Sequence, residues 1–206
     1  MAWMNLALAT AAGYGLGSIS FALLLARARG IDLRQVGSGN LGATNAGRAL
    51  GRKSGIVVYF LDALKGFAPT WLCWHWTQSL DLAVLTGTGA FLGHLWPIWH
   101  GFRGGKGVAT LSGALLALAP WVVLAAGVSF LAGLVLTRIM SVGSLAFGLA
   151  LGPAAFVLRS PAPVTIFAAL GGVALILTHR ANIRRLLRGE EKPLGKRGAE
   201  DGKEPV

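Results

Sequence analysis

Val108-Ala109-Thr110-Leu111-Ser112-Gly113-Ala114-Leu115-Leu116-Ala117-Leu118-Ala119-Pro120-Trp121 opens an apolar run of thirty residues that ends at Thr137, and whether this run is one helix or two decides the fold. A hydrocarbon core about 30 Å thick is crossed by about 20 apolar residues. Thirty residues make either one overlong helix or two short ones hinged at Ala119-Pro120-Trp121. The flanking charges choose between them. Arg103 and Lys106 precede the run and Arg138 follows it. Cytoplasmic loops carry the excess of Lys and Arg, so these three residues belong on one side, and an even number of crossings must separate them. Two short helices meet that condition.

Five further stretches approach membrane length: Trp3 to Ala26, Ile56 to Trp74, Leu82 to Trp99, Ile139 to Leu158 and Val164 to Thr178. With the split run they give an all-α, polytopic membrane protein of about seven transmembrane helices, N-terminus outside and C-terminus cytoplasmic. Basic residues agree with that count. Arg27, Arg29, Arg34, Arg48, Arg52 and Lys53 lie on the cytoplasmic side with Arg103, Lys106, Arg138 and the tail from Arg180 to Lys203, which leaves Arg159 for the opposite face. Trp71, Trp74, Trp76, Trp96, Trp99 and Trp121 supply interfacial aromatics. Composition points to the same solvent: 54% hydrophobic residues, 13% charged, thirty glycines and a mean hydropathy of +0.61 belong to helices packed in lipid. The opening residues, Met1 to Ser18, lack a basic region ahead of their apolar run and read as a first span rather than a cleaved signal.

The lone cysteine, Cys73, excludes an intramolecular disulfide and a cysteine-based metal cluster. A net charge of +11 invites a nucleic-acid partner. Topology and attraction to an anionic inner leaflet account for the same charges, and no nucleic-acid-binding motif is present. The expected surroundings are membrane lipids, not nucleic acid. Residues 1–189 read as a single transmembrane domain; after Gly189 the chain turns polar, and 190–206 is expected to be a disordered cytoplasmic tail. No internal repeat supports an inverted-repeat transporter.

Four polar constellations gather on the cytoplasmic side. The loop from Val36 to Arg48 is dense in uncharged donors: Ser38, Gly39, Asn40, Thr44 and Asn45. Its Gly37, Gly39 and Gly42 match a dinucleotide fingerprint in spacing, but no buried strand precedes them and no βαβ unit surrounds them, so the match carries no meaning. If Thr44 to Arg48 is helical, Thr44 and Arg48 share a face, as do Asn45 and Arg48. Asp62-Ala63-Leu64-Lys65-Gly66 sets an i,i+3 carboxylate and ammonium inside an apolar span, a placement costly enough to mark function above packing. Gly104-Gly105-Lys106-Gly107 forms a glycine turn ahead of a helix expected to begin near Val108, where bare N–H groups, the helix dipole and the lysine all favour an anion. It is no nucleotide P-loop, since Gly107 stands where Ser or Thr should follow the lysine. His94 lies at a span end and serves packing or catalysis equally well. The fourth constellation is Thr178-His179-Arg180-Ala181-Asn182-Ile183-Arg184-Arg185, in which His179 and Asn182 share a helical face.

Arg48, Lys65, Lys106 and, when protonated, His179 are therefore the candidate cations. Ser38, Asn40, Thr44, Asn45 and Asn182 are the candidate neutral donors. Such a set suits multiply charged anions. Acidic residues are too scattered to hold a magnesium or zinc centre, so neither a metal nor another cofactor is expected.

The segments GSGNLGATNAGR, DALKG, GHLWPIWHGFRGGKGVAT and HRANIRRL, in this order from Gly37 to Leu186, resemble the bacterial acyl-phosphate:glycerol-3-phosphate acyltransferases, the PlsY family. Trp96 and Arg103 depart from the residues most common there while keeping their class. The resemblance implies a seven-helix enzyme of the bacterial inner membrane, its site facing the cytoplasm. That enzyme moves a fatty acyl group from acyl phosphate to the 1-hydroxyl of glycerol 3-phosphate, yielding lysophosphatidic acid and phosphate. It also implies that Ser38, Arg48, Lys65, Lys106, His179 and Asn182 line the substrate sites, with Asn40, Thr44 and Asn45 beside them. Gly39, Gly104 and Gly105 belong to the substrate-binding loops on this reading. The family's pathway makes docking of a soluble acyl-phosphate-producing enzyme on the basic loops a further expectation. A transporter of an organic phosphate would use the same cations; the collection of polar residues at one face speaks against an alternating-access path.

Overall fold

The computed structural model describes residues 2–194 as helices joined by short turns. Among the described residues these are α1 (Ala2–Gly17), α2 (Phe21–Arg27), α3 (Ala43–Leu50), α4 (Arg52–Thr77), α5 (Leu80–Leu95), α6 (Val108–Leu118), α7 (Pro120–Thr137), α8 (Met140–Val157), α9 (Ala162–Thr178) and α10 (Arg180–Leu187), with one 3-10 turn at Ile98–His100. The thirty-residue run is two helices. α6 stops at Leu118 and Pro120 opens α7, a position where a missing N–H leaves no bond unmade. α6 begins at Val108, as the glycine turn before it requires.

Length and apolar composition mark four stretches as able to cross a membrane: Trp3–Arg27, Arg52–Thr77, Pro120–Thr137 and Met140–Val157. A fifth follows if Ala162–Thr178 and Arg180–Leu187, bent by 56° at His179, count as one. α5, with 16 residues, and α6, with 11, fall short of the about 20 that a straight crossing takes. The expected seven crossings are thus a count that helix length alone does not reach. α7 is the most lipid-like surface, with Leu124, Val128, Leu131, Val135 and Leu136 all exposed.

Lipid tails are as apolar as leucine, so helices in a membrane associate through close backbone contact at small residues. α1 and α5 meet this way through Gly13 and Gly17 on one side and Gly89 and Gly93 on the other. A Cβ at any of the four would run into a backbone carbonyl of the facing helix. Gly66 of α4 and Gly113 of α6 make the same close approach, against the Thr110 and Ala63 carbonyls. The larger apolar core lies between α5, α6, α7, α8 and α9 around Phe91, Leu111, Leu115, Phe147, Leu151 and Leu175. A smaller one under the first loop holds Leu23, Leu33, Leu41 and Val58.

The first apolar stretch departs from expectation. It is not continuous from Trp3 to Ala26 but breaks at Ser18-Ile19-Ser20, and α2 restarts with Ser20 accepting from the Leu23 N–H at 3.4 Å. A broken helix in a membrane needs its freed carbonyls satisfied by other groups. Here Lys65 Nζ donates to the Ile19 carbonyl at 2.7 Å.

The start of the expected tail also departs. Glu190–Leu194 is folded back on the bundle, with the Leu194 N–H donating to the Arg138 carbonyl at 2.7 Å. The remainder of that tail, 195–206, lies outside the described residues.

Candidate active site: two polar clusters divided by a glycine turn

Three of the four constellations supply two polar clusters rather than one pocket, and the first loop lies outside both. Gly104–Gly107 separates the two clusters. Gly104 and Gly105 donate their N–H groups to the Leu95 and His94 carbonyls, both at 3.1 Å, which lays the turn along the end of α5. Glycine is obligatory there for lack of room, because a Cβ on Gly104 would strike the His94 carbonyl and one on Gly105 the His94 ring. Gly107 has φ +90°, a left-handed conformation that suits glycine, and caps α6. The turn is therefore held by specific contacts, and the N–H groups of Gly104 and Gly105, expected to be bare, are used.

On one side stand Asp62 and Lys65, one turn apart on α4, with His94 of α5. Lys65 Nζ is 2.9 Å from Asp62 Oδ1 and bonded to Ile19 as above, while His94 Nδ1 is 3.7 Å from the same carboxylate oxygen. All three side chains are buried. The pair thus ties α4 to the break in the first span. A small recess beside it is lined by Ser18, Ser20, Leu41, Lys65, His94 and Gly105.

On the other side Lys106 Nζ donates to Asn182 Oδ1, and Thr178 Oγ1 holds the Lys106 carbonyl at 3.1 Å. His179 and Asn182 are buried, as their shared face requires. Burial pulls the Lys106 ammonium down from the usual lysine range to about 8. The Glu191 carboxylate opposes this, and the positive charges of Arg185 and Arg48 add to it. His179 is also depressed, to about 4, first by burial and then by the Lys106 charge. At that value the imidazole is uncharged near pH 7, so His179 counts among the candidate cations only when protonated at lower pH. Its Nδ1 lies 2.7 Å from the Leu175 carbonyl. A carbonyl only accepts, so the proton is on Nδ1 and Nε2 is left as an acceptor.

The first loop is built by Asn45. Its Oδ1 accepts from the Ser38 N–H at 2.9 Å and its Nδ2 donates to the Leu33 and Val36 carbonyls at 3.3 and 3.0 Å. Asn40 Oδ1 likewise accepts from the Gly42 N–H at 3.0 Å. α3 exposes Thr44 and Arg48 together and buries Asn45, so only the first of the two expected faces points outward. Arg48 reaches the Lys106 cluster through its charge. No hydrogen bond joins Ser38, Gly39, Asn40 or Thr44 to Lys106 or Asn182 among the described residues. Arg34 Nη2 donates to the His100 carbonyl at 2.8 Å and ties this loop to the glycine turn.

Two residues enter the Lys106 cluster that sequence reasoning did not single out, Ser141 and Glu191, and Thr178 of the fourth constellation joins them. Glu191 is 6% exposed in its side chain, and its carboxylate accepts from Arg185 Nε at 2.5 Å, Asn182 Nδ2 at 2.6 Å and Ser141 Oγ at 2.8 Å. Burial opposes its ionisation, but these donors hold it below the usual carboxylate range. One signal could have found it. Gly189, at φ +69°, ends α10 with the Glu190 N–H donating to the Arg185 carbonyl, the reversal that a glycine just past a helix produces.

The family model for glycerol-3-phosphate acyltransferase matches residues 7–189, nearly the whole described chain. The chain belongs to the glycerol-3-phosphate acyltransferase family. It is 48% identical over 188 residues to the glycerol-3-phosphate acyltransferase of Anaeromyxobacter sp. (strain Fw109-5), an alignment covering 88% of this chain and 93% of that protein. Against the same enzyme of Aquifex aeolicus (strain VF5) it is 44% identical over 180 residues, 86% of this chain and 93% of the other. The fold is similar to that of PlsY, an integral membrane glycerol 3-phosphate acyltransferase. Against its glycerol 3-phosphate form the TM-score is 0.87 at 41% identity, covering 92% of this chain and 96% of that one. Against its lysophosphatidic acid form the values are 0.85 and 39%, with 92% and 95% covered.

Proposed function

We propose that this protein is a membrane acyltransferase that moves a fatty acyl group from acyl phosphate to the 1-hydroxyl of glycerol 3-phosphate, with Lys106, Asn182, His179 and Arg48 around the reacting groups. The observation that carries this reading is the half-buried Lys106 cluster at the N-terminus of α6. There an ammonium, the positive end of a helix and nearby guanidinium groups converge, a combination that favours a phosphate. The seven-crossing topology read from the charge pattern sets this cluster at the cytoplasmic leaflet of the inner membrane, where a lipid-tailed anion and a soluble dianion can meet.

In the reaction the 1-hydroxyl oxygen attacks the acyl carbonyl carbon, the bond from that carbon to the phosphate oxygen breaks, and inorganic phosphate leaves. The hydroxyl proton goes to a substrate phosphate oxygen. His179 suits an orienting role, its Nε2 accepting from the substrate's 2-hydroxyl rather than from the attacking one, because a base with a pKa of about 4 takes little of a proton at neutral pH. Lys106 and Arg48 stabilise the developing charge and position the phosphates. Ser38, Gly39, Asn40 and Thr44 form the loop that borders this site, and Asn45 shapes it. Lys65 acts at a distance by holding the break at Ile19.

The test is turnover. Purified protein in detergent, given palmitoyl phosphate and glycerol 3-phosphate, should release inorganic phosphate and form lysophosphatidic acid in equal amounts. Accumulation of glycerol 3-phosphate in vesicles without either product would instead support a transporter.

A further inference from the structure

Glu191 is one of eight acidic residues in the chain. Among the described residues it is the one carboxylate hydrogen-bonded into the Lys106 cluster. It sits beyond the last helix, in a segment whose polarity suggested no structure at all, yet its side chain is as buried as that of His94. Three elements meet at it: α8 through Ser141, α10 through Asn182 and Arg185, and the chain reversal at Gly189.

The chemistry of the donors fixes what this contact does. A carboxylate only accepts and an ammonium only donates. Asn182 lies between the two, so its amide has a single satisfactory orientation, NH2 toward Glu191 and Oδ1 toward Lys106. Remove the carboxylate and the amide can turn over, presenting NH2 to the ammonium and losing the bond.

We propose that Glu191 is a positioning residue for the acyl transfer, fixing the Asn182 amide so that its Oδ1 holds the Lys106 ammonium at the phosphate site. This rests on the functional reading above. Arg185 is fixed by the same carboxylate, which keeps its guanidinium beside Lys106 without bonding to it. The charged and titratable groups facing Lys106 are then Arg48 from α3, His179 from the α9–α10 bend, Arg185 from α10 and Glu191 from the segment after it.

Glu191→Gln, Glu191→Ala and Asn182→Ala separate the possibilities in the purified full-length protein. Gln is nearly isosteric and can still accept from Asn182, so it keeps the contact and loses the charge. In Glu191→Ala, kcat/KM for glycerol 3-phosphate should fall at least about tenfold, the scale of a misplaced catalytic group. The double variant Glu191→Ala, Asn182→Ala should be no worse than Asn182→Ala alone, since the effect runs through the amide. In Glu191→Gln, the pH dependence of Lys106 acetylation by acetic anhydride should move down by at least about half a unit, because a nearby negative charge is gone. That labelling does not need turnover. A wild-type protein that labels as expected but transfers no acyl group would overturn the functional reading and leave the Glu191 contact standing. Unmoved labelling in Glu191→Gln, or additive losses in the double variant, would overturn the inference itself. So would a lower KM in Glu191→Ala, since the carboxylate would then be competing with substrate phosphate for the same donors.

Discussion

Replacing Lys106 tests the centre of the site. With a pKa of about 8 in the free protein, its side chain is about nine-tenths charged at pH 7 and half charged at pH 8. Only the charged form attracts a phosphate dianion. Because kcat/KM reports the free enzyme, its value for glycerol 3-phosphate should be level below about pH 8 and fall about tenfold per unit above it. A bound dianion raises the lysine pKa again, so kcat should hold to higher pH than kcat/KM. Below neutrality the substrate contributes its own limb near its second phosphate pKa of about 6. His179, at about 4, adds none near the usual histidine value. Lys106→Ala removes a charge-assisted contact worth at least about 2 kcal/mol, or about 30-fold in kcat/KM. Lys106→Arg keeps a charge that cannot be titrated in this range, so the alkaline limb should disappear even if activity drops. The assay is phosphate release at saturating palmitoyl phosphate with glycerol 3-phosphate varied, from pH 6 to pH 10. An alkaline limb that persists in Lys106→Arg would refute the assignment, as would Lys106→Ala protein that stays within about threefold of wild type with its bundle intact.

Three further outcomes follow from the same geometry. His94→Gln should keep activity within about tenfold, because His94 packs on Gly105 in the other cluster; loss of an essential general base would cost about 10²–10⁴-fold in kcat. Lys65→Met should lower stability by about 3–5 kcal/mol, leaving the buried Asp62 carboxylate and the Ile19 carbonyl without their partner, and adding Asp62→Asn should recover part of it. Thermal unfolding in detergent measures both, and a single variant as stable as wild type would contradict the role given to Lys65. Activity should survive excess EDTA unchanged, given how scattered the carboxylates are in the sequence; loss on chelation restored by one divalent ion would show otherwise.

Local sequence determined most of the helices. Runs of apolar residues at membrane length, Pro120 at the head of α7 and the glycine turn ahead of Val108 each act within a few residues, and outside the broken first stretch the apolar helices begin and end within a few residues of where those signals put them. The residue types of the site were legible for a similar reason. A lysine inside an apolar span and a histidine and asparagine one turn apart are improbable without a polar environment to receive them.

What the sequence left open depends on partners far along the chain. The break at Ser18–Ser20 is invisible in an apolar run because the donor that makes it tolerable, Lys65, is 46 residues away. The polar constellations look like one pocket when only their side of the membrane is known. Close packing of Gly104 and Gly105 on His94 divides them, and no spacing rule reports that approach. Asn45 counted as a substrate donor until its amide was seen spent on Leu33, Val36 and Ser38. Glu191 is the clearest case. Its surroundings are polar and aperiodic, which by composition alone means a tail, and only the chain reversal at Gly189 and three donors from two other segments make burial of its charge affordable. Sequence thus determined the solvent, the helices and the chemical character of the site, all properties of short stretches. Which polar groups satisfy one another was decided by the tertiary structure, because a buried donor or acceptor is stable only with a partner that folding brings to it.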